Sequence, residues 1–261
     1  MSLDTSRTHT PEAPAGAHDA DAPADTPATA PQQGAPAEQV RDMFARIAPT
    51  YDLLNRVLSA GQDRLWRRRV VAALHPDVHD VLDLCAGTGD LALEIRHQRP
   101  QAFVCAGDFC HDMLVHGIGK GIADHAAPAT LDALRLPFAD GVFDAVTAAF
   151  GVRNFERLAD GLHEMHRVLR PGGQLAVLEF FRNDSRWRDL PFRFYFKHVL
   201  PRLGAAISRD PHAYTYLPAS VGRFVSRDEF TAELQRAGFT HVRKREMTFG
   251  VATLFLAQKP A

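Results

Sequence analysis

The sequence predicts an α/β protein built on a mostly parallel sheet, with helices on both faces and an antiparallel strand hairpin at its C-terminal end. Three observations predict it. Between about residues 81 and 180, apolar runs of strand length alternate with helix-period segments at the spacing of βαβ units. Within that region, Val81-Leu82-Asp83-Leu84-Cys85-Ala86-Gly87-Thr88-Gly89-Asp90-Leu91 carries an apolar strand through a Gly-Thr-Gly turn into a helical pattern. Near the end, residues 239–248 and 250–258 read as two adjacent strands meeting near Gly250, not as another crossover.

The elements follow in order. Residues 1–37 are dominated by Ala, Pro, Asp, Thr and His, with almost no large apolar side chains. Such a segment cannot offset its ordering entropy and is expected to be a disordered tail. It shows neither the apolar centre of a signal peptide nor the Arg-rich amphipathic character of a transit peptide. The folded domain is expected over 38–261. Val40, Met43, Phe44 and Ile47 recur at helical spacing, and Pro49 is expected to close that helix. A second helical segment runs from Tyr51 toward Leu65-Trp66-Arg67-Arg68-Arg69-Val70-Val71. Strands are then expected at 81–85, 102–108, near 129–131, at 143–150 and at 174–180. Helices are expected at 91–99, from about 110, and up to Leu169-Arg170-Pro171-Gly172-Gly173. From 182 to 217 an aromatic and aliphatic insertion appears, with Phe192, Phe194, Tyr195, Phe196 and Ile207, and reads as helical. Ser226-Arg227-Asp228-Glu229 has capping-box spacing and opens a last helix.

Composition narrows the function. With 46% hydrophobic residues, 23% charged residues and a formal net charge of −1, the chain resembles a soluble globular protein and lacks the basic face of a generic nucleic-acid binder. Three cysteines, an odd count placed on strands and turns, fit reduced thiols in the cytoplasm. Cys110, His111 and His116 lack a fourth ligand, so no metal is expected. Arg64, Arg67, Arg68 and Arg69 read first as a solvated helix face, and second as a surface attracted to an anionic membrane. Oligomeric state is left open.

The glycine turn is the geometry in which an open sheet holds a nucleotide-like cofactor, because glycine lets the backbone approach the ligand and the helix start offers amide donors. Asp108 ends the second strand, where a carboxylate accepts from both ribose hydroxyls. Asp132-Ala133, followed by Leu136-Pro137-Phe138, places an acid for an adenine amino group beside apolar neighbours. Each acid has a plain structural alternative as a cap or turn residue, but their joint placement at strand ends favours a ligand.

Together with the terminal hairpin, these features resemble Rossmann-like class I methyltransferases. Residues 43–52 (Met43-Phe44-Ala45-Arg46-Ile47-Ala48-Pro49-Thr50-Tyr51-Asp52), Asn55, Leu65-Trp66-Arg67-Arg68, Ala148-Ala149-Phe150-Gly151-Val152-Arg153-Asn154-Phe155 and Leu178-Glu179-Phe180 resemble the ubiquinone/menaquinone biosynthesis C-methyltransferases over about 40–258. The resemblance implies S-adenosylmethionine as cofactor, bound at Gly87, Thr88, Gly89, Asp108, Asp132 and Ala133. It implies a prenylated quinol as substrate, most simply demethylmenaquinol, with a benzoquinol as the alternative ring. A non-catalytic cofactor-binding sensor is the alternative of a different class. Arg153 and Asn154 are the expected catalytic residues: Arg153, a poor base, would stabilise the quinol oxyanion, and Asn154 would donate to the same oxygen or hold a water. The aromatic residues at 192–207 would form a lid or membrane-facing groove for the prenyl tail or, equally, pack on the sheet face, and peripheral contact with the inner face of a membrane is a further expectation. Two positions depart from the pattern: Cys85 stands where many methyltransferases carry glycine, and Ala149 stands where relatives often carry serine.

Overall fold

A computed structural model describes residues 37–182 and 212–261; the tail and most of the aromatic insertion, including 192–207, lie outside them. The strands are β1 (Asp80–Leu84), β2 (Phe103–Asp108), β3 (Ala127–Thr130), β4 (Phe143–Ala149), β5 (Leu169–Glu179), β6 (Thr240–Met247) and β7 (Ala252–Gln258). They form one sheet in the order β3-β2-β1-β4-β5-β7-β6. The first five are parallel, while β7 runs antiparallel to both β5 and β6. This is the predicted architecture, with the expected hairpin at its edge.

The helices are α1 (Ala37–Leu58), α2 (Gln62–Ala72), α3 (Asp90–Gln98), α4 (His111–Gly119), α5 (Leu158–Val168), α6 (His212–Arg223) and α7 (Arg227–Arg236). Two cores sandwich the sheet. On one face Leu162, Met165 and Val168 of α5 and Phe230 and Leu234 of α7 pack with Leu82, Val146 and Val177. On the other, Trp66 and Val70 of α2 and Leu91 and Ile95 of α3 pack with Val81, Val104 and Leu254. The α7 capping box forms as expected: Ser226 Oγ accepts from the Glu229 amide, and the Glu229 carboxylate accepts from the Ser226 amide.

Three local expectations are corrected. Pro49 does not close a helix; α1 runs through it to Leu58. A proline costs one backbone hydrogen bond, but Val40, Met43, Ile47, Ala48 and Leu54 on either side bury one continuous stripe, and Thr50 Oγ1 donates to the Ile47 carbonyl at 3.2 Å. The fifth strand starts at Leu169, not at residue 174. Phe143 pairs with Leu169 and Ala145 with Gln174, so Arg170-Pro171-Gly172-Gly173 forms an irregularity within the strand. Arg67 is not solvated: it is buried, with Nη1 2.6 Å from Asp63 and 3.6 Å from Asp90. Among the described residues, no helix is long and apolar enough to cross a membrane.

Candidate active site

The site forms where the parallel strands end. Beyond β1, Cys85 turns into the left-handed region at φ 55°, and beyond β4 Phe150 does the same at φ 61°. Non-glycine residues pay roughly 1–3 kcal/mol to hold such backbone, and such outliers cluster at functional sites. Both residues border a cleft of about 250 Å³ whose walls include Gly87, Asp108, Asp132 and Asn154, with Phe44 and Tyr51 of α1 on the opposite side.

Backbone donors set the acids. Asp108 Oδ2 accepts from the Gly87 amide and Oδ1 from the Cys110 amide, both at 2.8 Å. Each oxygen retains acceptor capacity. Burial pushes the Asp108 pKa up, and the two amides pull against it. Asp132, one strand over, accepts from the Leu134 amide at 2.8 Å. Two carboxylates at neighbouring strand ends, flanked by apolar side chains such as Met113 and Leu134, suit a ligand that combines hydroxyl and amino donors with a flat ring. That is the donor set of an adenosine-bearing cofactor, and the residues fit it.

The other expected cofactor residues sit differently. The Thr88 hydroxyl donates to Asp52 of α1 and accepts from Lys120 Nζ at 3.0 Å; Lys120 also bonds Asp52 and Asp90. Thr88 borders a small cavity of about 20 Å³, beside Asp83 and Arg67, that shares Tyr51, Cys85 and Gly87 with the cleft. Gly89 opens α3 at φ 83°, where an added Cβ would fall 2.1 Å from Ile122 Cδ1. Ala133 is buried in the sheet core. The structure therefore brings Gly87, Asp108, Asp132 and Asn154 to one cleft, with Thr88 on the small cavity beside it, Gly89 at the start of α3 and Ala133 in the sheet core.

Asp83, in the same small cavity, is fully buried. Its Oδ1 accepts from Thr147 Oγ1 at 2.7 Å, while Oδ2 has no partner. Burial raises its pKa to about 7.

A second cavity, of about 60 Å³, adjoins the cleft and shares Phe44, Tyr51 and Phe150 with it. Its remaining walls are mostly apolar, from Met43, Ile47, Leu54 and Leu58 of α1 and from Phe180 beyond β5. Arg153 also faces it. That side chain is buried, with Nη1 2.9 Å from Glu179 Oε1 and bonded to the Phe150 carbonyl, and Nε 3.3 Å from Ser220 Oγ. Burial opposes the charge on Arg153, and the Glu179 carboxylate more than restores it, keeping the guanidinium protonated. Arg153 is thus a buried, paired cation. Asn154 Oδ1 accepts from Tyr216 Oη at 2.7 Å.

Sequence reasoning missed Glu179, Tyr216 and Asn55 as site residues. An acid ending the apolar run Leu175-Ala176-Val177-Leu178 was the available signal for Glu179; nothing local marked Tyr216. Asn55 lines the same pocket one turn from Tyr51, and its Nδ2 is buried without a partner. Burial pushes both Tyr51 and Tyr216 up from the ordinary phenol value, so both stay protonated and act as donors. Among the described residues, this pocket is lined by a fixed cation and neutral donors, with no free base.

Comparison with known proteins agrees with this geometry. The family model described as the ubiE/COQ5 methyltransferase family matches residues 32–259. Demethylmenaquinone methyltransferase of Deinococcus radiodurans is 47% identical over 225 residues, covering 85% of this chain and 93% of the relative. The protein of that name from Thermus thermophilus is 48% identical, covering 84% and 100%. A ubiquinone/menaquinone biosynthesis C-methyltransferase of Geobacter sulfurreducens is 43% identical, covering 85% and 89%. Among solved structures, an S-adenosylmethionine-dependent methyltransferase of Thermotoga maritima superposes with a TM-score of 0.58 at 18% identity, covering 84% of this chain and 98% of that one. That likeness shows the class I Rossmann-like fold. The chain is a methyltransferase and belongs to the ubiE/COQ5 methyltransferase family.

Proposed function

We propose that the protein transfers a methyl group from S-adenosylmethionine to a ring carbon of demethylmenaquinol, giving menaquinol. The observation that carries this reading is the pair of adjoining cavities: a polar cleft with acids at two strand ends, and an apolar pocket with a buried cation and an unpartnered amide, both lined by Phe44, Tyr51 and Phe150. The cofactor supplies a methyl group made electrophilic by its sulfonium.

The chain's own residues do the rest. Asp108 accepts from the ribose hydroxyls and Asp132 from the adenine amino group. The aromatic partition and apolar walls exclude water and hold the ring carbon in line with the methyl group. A quinol whose hydroxyl carries partial negative charge has a more nucleophilic ortho carbon. Arg153, held by Glu179, stabilises that charge without reorganising. Asn55 Nδ2 is the donor left over for a quinol oxygen, and Asn154, steered by Tyr216, offers its amide from the other side. No described residue lining the pocket is a free base, so the hydroxyl proton passes to bulk solvent, and the ring-carbon proton released after methyl transfer restores the hydroxyl.

The test is transfer of labelled methyl from S-adenosylmethionine to a short-chain demethylnaphthoquinol. The wild type is expected to turn over, and Asn55→Ala to raise the quinol KM about fivefold, the worth of one hydrogen bond, with cofactor affinity unchanged. Turnover of benzoquinols alone would overturn the naphthoquinol assignment in favour of the second ring, which the Geobacter sulfurreducens relative's name includes.

A further inference from the structure

At the same edge of the sheet, the turn from β6 to β7 presents Phe249 wholly to solvent, with 102% of its reference area exposed. The backbone turns it outward: Thr248 and Phe249 both lie in the left-handed region, at φ 44° and 58°. The turn is not loose. Thr248 Oγ1 accepts from Trp66 Nε1 at 2.9 Å and donates to Gln62 Oε1 at 3.3 Å, and Arg69 Nη1 sits 3.6 Å from Met247 Sδ. These anchors lie on one face of α2, and Leu65, between them on that face, is 39% exposed. Trp66 in turn packs on Phe150 and Phe180, two walls of the apolar pocket.

Behind this apolar tip the charge is basic. Arg245 and Arg243 share a sheet face with Met247 and are exposed, set back from it by about 7 and 13 Å at the rise of a β-strand. With Arg69 they make three cations that have no carboxylate partner among the described residues. The acids nearby are engaged: Glu246 lies 4.0 Å from Arg227, Asp228 pairs with Lys244, and Asp63 pairs with Arg67. A fully exposed aromatic held rigidly ahead of a band of guanidinium groups matches a bilayer surface, with acyl chains in front and anionic headgroups behind.

We propose that the β6–β7 turn docks the protein on anionic phospholipid bilayers, with Phe249 inserted and Arg69, Arg243 and Arg245 on the headgroups. The proposal stands apart from the substrate assignment, because its readout is binding and not turnover.

The experiment is co-sedimentation of the full-length protein with vesicles of phosphatidylcholine alone or mixed with phosphatidylglycerol. Binding is expected to the mixed vesicles and to weaken with salt. Phe249→Asn, a residue that tolerates the left-handed backbone, should weaken it at least tenfold. Arg245→Gln should weaken it about fivefold, the worth of one cation at an anionic surface. Turnover of a water-dispersed quinol by Phe249→Asn should match the wild type, which shows the variant is folded. Vesicle binding undiminished in Phe249→Asn would overturn the proposal. So would concentration-dependent self-association without lipid that Phe249→Asn abolishes, since the patch would then meet a second copy of the chain.

Discussion

The two cavities that meet at Tyr51 are held in different ways. The cofactor cleft is set by backbone amides acting on acids at strand ends: Gly87 and Cys110 fix Asp108, all within the β1–β2 unit. The apolar pocket is set by side chains from four separate segments, with Asn55 on α1, Arg153 after β4, Glu179 at the end of β5 and Tyr216 on α6. A site built on local backbone can lose one side chain and keep its shape. A site built on a buried ion pair cannot, because each partner's removal strands the other.

The largest expected effect tests that difference directly. Glu179→Gln should cost about 3–5 kcal/mol of unfolding free energy by stranding the Arg153 charge, read by urea denaturation, and should lower kcat as well. Replacing both partners with apolar residues, Arg153→Met with Glu179→Leu, should restore most of the stability and none of the turnover. A double variant with normal turnover would remove the cation from the chemistry.

The cleft should respond in the opposite way. Asp108→Ala is expected to weaken S-adenosylmethionine binding at least tenfold, since hydrogen bonds to a charged group are worth about 1.5–3 kcal/mol, while the far-ultraviolet circular dichroism stays unchanged. Calorimetric affinity equal to wild type would show that the acid serves only the Gly87 turn.

The smallest effect lies beneath both cavities. Burial keeps Asp83 protonated in the folded chain up to about pH 7, whereas unfolding returns it to its ordinary value of 3.8. The folded state therefore holds the extra proton between these values, and that stabilisation is lost as pH rises through 7. From pH 6 to 8 the loss is about 1 kcal/mol, lowering Tm by about 2–4 °C. Asp83→Asn should flatten this slope in thermal melts at the two pH values. A slope that survives in the variant belongs to another group.

The same contrast explains what could be read in the sequence. Strand, turn, helix start and Asp108 sit within 30 residues, so their pattern exposes the sheet and the cleft. Asp132 was legible for the same reason. Arg153 and Asn154 were legible only as part of a family motif, and their partners were not: Glu179 lies 26 residues from Arg153 and Tyr216 lies 62 from Asn154, distances at which only the fold makes neighbours. Pro49 misled because the local rule for proline takes no account of the buried stripe that carries α1 across it. What the cofactor motif did not reveal is that the Thr88 hydroxyl also bonds Asp52 and Lys120, contacts that depend on where α1 and α4 come to rest.

The meeting of Cys85 and Gly151 has a consequence for how this sequence can change. Cys85 occupies a left-handed backbone position, and its side chain fills the space opposite Gly151, where an added Cβ would fall 2.1 Å from the Cys85 Cβ. The two positions are therefore epistatic. Alanine at 151 is forbidden while cysteine stands at 85, and becomes accessible once 85 is glycine. A lineage moving between these states has one open route, through glycine at both positions, and among descendants the pair should vary in concert.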